Sequence, residues 1–129
     1  MTDVTADELV VRLPEQGLTL LDVRTLGEYD GSAGYPCDRR QGHIPGARHV
    51  ELQELLAAGD AAAIRAIVGR PEGAEVIAYC HSGGRSAVAV QVLGAAGYEA
   101  RNYVGSWHEW SSDEALPIEL PSGNAEPGA

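Results

Sequence analysis

Two short runs constrain the fold more than any other feature of this chain: LTLLDV at residues 18–23 and EVIAY at residues 75–79. A strand with one wet face alternates apolar and polar residues. A strand apolar at consecutive positions is buried on both faces, as in a parallel sheet covered by helices. Helical stretches separate these runs. Thr5-Ala-Asp-Glu8 has the spacing of a capping box, in which Thr5 caps a helix over residues 6–14 and Glu8 reaches back. Residues 52–58 and 61–68 are rich in Ala and Leu, with Asp60 placed to cap the second. Residues 86–96 are apolar nearly all round, which predicts a buried helix, and residues 107–112 predict a short one. Further short strands are expected at residues 48–51 and 98–104. Residues 24–47 carry Gly27, Gly31, Gly34, Pro36, Gly42, Pro45 and Gly46, so beyond one helical turn at residues 26–29 they read as loop. Strands alternating with helices predict an α/β fold around a mainly parallel sheet.

Composition limits the alternatives. A chain of 129 residues, 44% hydrophobic, supports one domain, expected over residues 1–116. The Pro, Gly and Ser content beyond Leu116 predicts a poorly ordered tail over residues 117–129. No apolar stretch approaches the ~20 residues of a membrane span. The first 15 residues lack the basic head and apolar block of a leader, so a cytoplasmic location is expected. Nineteen acidic residues face nine basic ones, all arginine, for a net charge of −10. Such a surface repels nucleic acid and anionic membranes. Two cysteines, Cys37 and Cys80, are too few for a disulfide scaffold and lack metal-ligand spacing. Any cysteine that matters is therefore expected to matter as a thiol.

That chemistry falls on Cys80, at the carboxyl end of a predicted buried strand and just before a helix, where open α/β sheets bind ligands. The loop His81-Ser82-Gly83-Gly84-Arg85-Ser86 is short and rich in small residues. Its backbone N–H groups are expected to converge on the sulfur, with the helix N-terminus and the Arg85 charge also favouring a thiolate. A merely structural, buried cysteine is the competing reading, and two glycines and an arginine crowded around it argue against that.

The motifs, taken in order, resemble those of the rhodanese-like sulfurtransferases. They are Leu21-Asp22-Val23-Arg24 with Glu28-Tyr29, then Gly42-His-Ile-Pro-Gly-Ala47, then the Cys80 loop, then Gly105-Ser-Trp-His-Glu-Trp110. The resemblance runs from about residue 18 to residue 110. It implies a five-stranded, mainly parallel sheet with helices on both faces, and a persulfide carried on Cys80 with no metal and no organic cofactor. The implied reaction moves a sulfane sulfur from thiosulfate or a related anionic donor to cyanide, a thiol or a protein acceptor. Four residues separate Cys80 from Arg85, whereas the cysteine phosphatases of related fold have five, so a phosphatase or arsenate reductase is the weaker alternative. A non-catalytic binding module of the same fold is the other.

Supporting roles follow for other residues. Asp22 and Arg24 are expected to pair and brace the site, Arg24 with a further role in attracting a donor, and the resemblance implies that Trp107 walls one side of it. Trp107 and Trp110 have the spacing of core anchors. His43 reads as a structural hydrogen-bonding residue. His81 is expected to line the rim rather than act as a base. Ser82 and Ser86 are candidate donors to the persulfide. Arg39 and Arg40 are expected to focus an anionic donor on the mouth, and Cys37 is a candidate resolving thiol for an oxidised Cys80. The mix of mercaptopyruvate-type and single-domain features in the Cys80 loop leaves the donor open.

Overall fold

The computed structural model describes residues 3–120. Both apolar runs form strands at its centre. In chain order the elements are α1 (Ala6–Arg12), β1 (Leu20–Asp22), α2 (Leu26–Asp30), β2 (Arg48–His49), α3 (Leu52–Ala57), α4 (Ala61–Val68), β3 (Glu75–Tyr79), α5 (Gly84–Ala95), β4 (Glu99–Asn102) and α6 (Ser106–Ser112). The strands lie in the order β2-β1-β3-β4, every pair parallel, with Leu21 opposite Ala78 and Asp22 opposite Tyr79. Among the described residues the sheet has four strands rather than five. A further segment joins the β4 side at a single residue, where Val4 bridges Tyr103 and its N–H donates to the Asn102 carbonyl.

Side chains alternate between two cores. Leu21, Val23, Val76, Ala78, Cys80 and Ala100 pack under α3, α4 and α5 with Leu55, Val68, Ala89 and Leu93. Leu20, Ile77, Tyr79 and Tyr103 pack on the opposite face with Leu9, Ile44, Trp107 and Trp110. The period of two, with both faces covered, explains runs that are apolar without a break. The connection from β1 to β2 packs on the Trp107 side and those from β2 to β3 and from β3 to β4 on the other, so the sheet changes winding between β1 and β3. Ligands of such sheets bind beyond the carboxyl ends of the strands at that point. Asp22 and Cys80 stand there.

Two local expectations change. Thr5 Oγ1 accepts from the Glu8 N–H at 3.1 Å, but the Glu8 carboxylate does not reach back. It accepts from Arg101 instead, which also binds Glu75, so α1 is strapped to the edge of the sheet. The full capping box is at α2, where Thr25 and Glu28 bond each other's backbone N–H. Helix α5 is not buried all round: Ser86, Ala89 and Leu93 face the core while Val88 is 45% exposed.

Of the expected tail, residues 121–129 lie outside the described residues. Residues 117–120 are anchored: the Pro117 carbonyl accepts from the Trp110 indole at 2.7 Å, and His43 and Glu119 exchange backbone hydrogen bonds. A buried indole N–H needs an acceptor, and the chain after α6 supplies it.

Beneath the site lies a buried polar network. Asp22 accepts from the Arg24 backbone N–H at 3.0 Å, from its guanidinium at 2.7–3.1 Å, and from the Tyr79 hydroxyl at 2.6 Å. Arg24 also donates to the Gly42 carbonyl, and the Tyr79 oxygen accepts from the Ile44 N–H. The network ties β1, β3 and the 42–47 turn together, with Asp22, Arg24 and Tyr79 all buried. Tyr79→Phe removes the hydroxyl and strands the Ile44 N–H, so it is expected to destabilise the protein by about 1–3 kcal/mol. Chemical denaturation of the two proteins measures this.

Candidate active site

The site is built where β3 ends and α5 begins. Cys80 is 1% exposed, and its sulfur accepts from the Gly83 N–H at 3.1 Å, the Ser86 N–H at 3.3 Å and the Ser86 hydroxyl at 3.3 Å. Burial raises the thiol pKa, and these hydrogen bonds, with a further one from the Ser82 N–H, outweigh it. The thiol therefore sits below its usual value, and the donors that hold a thiolate are already in position.

Gly83 makes the turn possible. Its φ is +97°, and a Cβ placed there would lie 2.7 Å from the Val104 carbonyl oxygen. Gly84 differs: it begins α5, and a Cβ on it would meet nothing within 4 Å. Only one of the two glycines is required by the geometry. Asn102 supports the turn from β4, donating to the Gly83 carbonyl at 3.3 Å.

A second loop grips the strand end from the β4 side. Ser106 Oγ accepts from the Cys80 N–H at 3.0 Å, Trp107 N–H donates to the Cys80 carbonyl, and His108 N–H donates to the His81 carbonyl, both at 2.9 Å. Ser106 takes φ +57°, the left-handed region that costs a non-glycine residue about 1–2 kcal/mol. The bond to Cys80 and another from Ser106 Oγ to the Tyr103 carbonyl hold it there. Nothing in its local sequence announces this role.

Arg85 serves differently from the sequence expectation. Its guanidinium makes a two-pronged pair with Glu28 at 2.8 and 2.9 Å and no hydrogen bond to the sulfur. The Glu28 side chain is buried and Arg85 half-buried, so the positive charge is largely spent on pinning α2 to the start of α5. Burial works against the Glu28 carboxylate, but the Arg85 hydrogen bonds and those from Thr25 hold its pKa down to about 2. Glu28 is a site-supporting residue whose Thr25-x-x-Glu28 spacing is readable as a capping box in hindsight.

Arg24 is 1% exposed, with its charge committed to Asp22 and its guanidinium 5.0 Å from the centre of the Trp107 ring. It braces and does not face a donor in solution. Trp107 is fully buried, its indole N–H bonded to the Arg40 carbonyl at 3.0 Å, so it supports the site from within the core. His43 is structural, stacked on Tyr29 and hydrogen-bonded to the Tyr29 carbonyl. Ser82 is exposed at the rim.

His81 stacks on Tyr35 with ring centres 4.0 Å apart, and its Nε2 lies 3.0 Å from Asp38 Oδ1. Among the described residues no hydrogen bond joins its ring to Cys80. Arg40 does not act as a free charge at the mouth either. It donates to the carbonyls of Trp110, Ser111, Asp113 and Leu116, closing the C-terminal end of α6. Arg39 is exposed and pairs with Glu114. Cys37 is exposed and Cys80 buried, and both are free thiols.

Three outcomes are expected. Ser86→Ala removes the side-chain donor to the sulfur, so iodoacetamide is expected to alkylate Cys80 about tenfold more slowly at neutral pH, given the ~1.5–3 kcal/mol of a hydrogen bond to a charged group. Peptide mapping over time measures this. Gly83→Ala combines a left-handed φ with a backbone clash and is expected to lower the melting temperature by several degrees. Gly84→Ala is expected to leave it unchanged or raise it, because alanine is the better helix former. Because the folded Glu28 pKa of about 2 is below the unfolded value, the Arg85 pair stabilises the fold above about pH 5 and is lost as pH falls toward 2. Acid titration of Glu28→Gln is expected to be flatter over that window.

The chain is similar to known proteins in sequence and in fold. The rhodanese-like domain family matches residues 5–113. Thiosulfate sulfurtransferase of Azotobacter vinelandii is 33% identical over 122 residues, covering 88% of this chain and 44% of that protein. A probable 3-mercaptopyruvate sulfurtransferase of Pseudomonas aeruginosa is 33% identical over 128 residues, covering 89% and 43%. A crystal structure of a probable thiosulfate sulfurtransferase is 44% identical and superposes with a TM-score of 0.78, covering 91% of this chain and 47% of that one. The chain spans less than half the length of each of these relatives. With a parallel sheet, a buried cysteine at the end of β3 and a match over most of its length, the chain belongs to the rhodanese-like domain family.

Proposed function

We propose that this protein is a sulfurtransferase that carries a sulfane sulfur as a persulfide on Cys80. One observation bears most of the weight: a buried sulfur already enclosed by the Gly83 N–H, the Ser86 N–H and the Ser86 hydroxyl. A structural cysteine needs no such donors. The sulfurtransferase names of the relatives point the same way.

In the first half-reaction the Cys80 thiolate attacks the outer sulfur of thiosulfate. A bond forms between Sγ and that sulfur, the S–S bond of thiosulfate breaks, and its electron pair leaves with sulfite. In the second, a thiophilic acceptor such as cyanide or a thiolate attacks the outer persulfide sulfur, the S–S bond breaks and the Cys80 thiolate returns. Negative charge resides on sulfur in both resting states, so preorganised donors stabilise each without a proton transfer. That economy suits a site where His81 is hydrogen-bonded to Asp38 instead of to Cys80.

Asp22, Arg24, Glu28, Ser106 and Trp107 act as positioning residues in this scheme. The donor is a small anion, and thiosulfate is favoured over mercaptopyruvate. A thiol or protein thiol is the favoured acceptor in a reducing cytoplasm.

Intact-protein mass spectrometry of the reduced protein after thiosulfate tests the proposal. The wild type and Cys37→Ser are expected to gain one sulfur atom, lose it on adding cyanide, and differ in this from Cys80→Ser. Absence of loading from thiosulfate, mercaptopyruvate and polysulfide would overturn the proposal and favour the binding-module reading.

A further inference from the structure

Four side chains beside the Cys80 loop remain outside the sulfur chemistry: Cys37, Asp38, His81 and His108. One potential ligand atom from each lies within 4.8 Å of all the others. They come from three separate segments, the α2–β2 connection, the Cys80 loop and α6, which is why spacing in the sequence does not reveal them.

Asp38 is the centre of the group. Its side chain is 1% exposed, and its Oδ1 lies 3.0 Å from both His81 Nε2 and His108 Nδ1. Its other oxygen, Oδ2, is buried and without a hydrogen-bond partner. A buried carboxylate oxygen left bare is costly. A cation held by the cluster would give that carboxylate a charged partner, and two imidazole nitrogens already stand beside its Oδ1.

The donor chemistry narrows the ion. One thiolate, one carboxylate and two neutral imidazoles carry a charge of −2 and suit a divalent, borderline-soft ion such as Zn2+. Tetrahedral ligands about 2.0–2.3 Å from zinc stand roughly 3.3–3.8 Å from one another, so atoms already gathered within 4.8 Å need only small shifts. Cys37 is exposed, which leaves a path from solvent, and Tyr35 stacked on His81 limits the ways that ring can turn. We infer that Cys37, Asp38, His81 and His108 form a zinc-class metal site that straps the Cys80 loop to α6 and to the α2–β2 connection. The inference stands apart from the sulfurtransferase reading.

Titration of the reduced, tag-free full chain with Co2+ as a spectroscopic probe, followed by displacement with Zn2+, tests it. One equivalent of Co2+ is expected, with a sulfur-to-cobalt charge-transfer band in the near ultraviolet. The band is expected to persist in Cys80→Ser and vanish in Cys37→Ser. His108→Ala, at a half-exposed position, is expected to weaken binding at least tenfold while leaving the circular dichroism unchanged. Zn2+ is expected to raise the melting temperature of the wild type and of Cys80→Ser but not of Cys37→Ser. No saturable binding of either ion, a band that follows Cys80 instead of Cys37, or an affinity indifferent to His108→Ala would each overturn the site.

Discussion

The turn at Gly83, seated against the Val104 carbonyl, is the constraint on which the site depends. It lets the chain reverse tightly enough after β3 for the N–H groups of Gly83 and Ser86 to point at the sulfur three and six residues behind them. The opposite side is closed by Ser106 and the first turn of α6, which hold the Cys80 and His81 backbone. The cysteine is thus gripped through its main chain by one loop and through its sulfur by another. Donors fixed in this way do not have to reorganise when charge resides on sulfur, which is the source of their electrostatic value.

Charges in the neighbourhood are largely spent on one another. Arg24 is consumed by Asp22, Arg85 by Glu28 and Arg40 by the carbonyls that end α6. On a chain with a net charge of −10 this is a notable commitment of three of nine arginines to architecture. They fasten the 42–47 turn to the end of β1, α2 to the start of α5, and the end of α6 to the α2–β2 connection. The sulfur is held by neutral donors, and the cations hold the frame around it.

The α/β class, the parallel sheet and the Cys80 loop were legible because each rests on a local pattern. Consecutive apolar residues in β1 and β3 mark burial on two faces, and small residues between a strand end and a helix mark a cradle. What stayed hidden depends on partners far along the chain. Glu8 reads as a capping residue until Arg101, 93 positions away, takes its carboxylate. Arg85 reads as a free charge until Glu28 meets it across 57 positions. Asp38 carries no local signal, since its two histidines come from other segments. The resemblance implies five strands, and among the described residues the sheet has four, with Val4 ahead of α1 making a single bridge to Tyr103 on the β4 side.

In the proposed reaction the cradle is preformed and holds the sulfur anion before and after transfer. A crystal structure of the thiosulfate-loaded protein, compared with the unloaded one, tests this most directly. The loop over residues 81–86 is expected to keep its backbone, with the outer sulfur of the persulfide accepting from its N–H groups. A loop that rearranges on loading, or an outer sulfur that points away from those amides, would contradict the account.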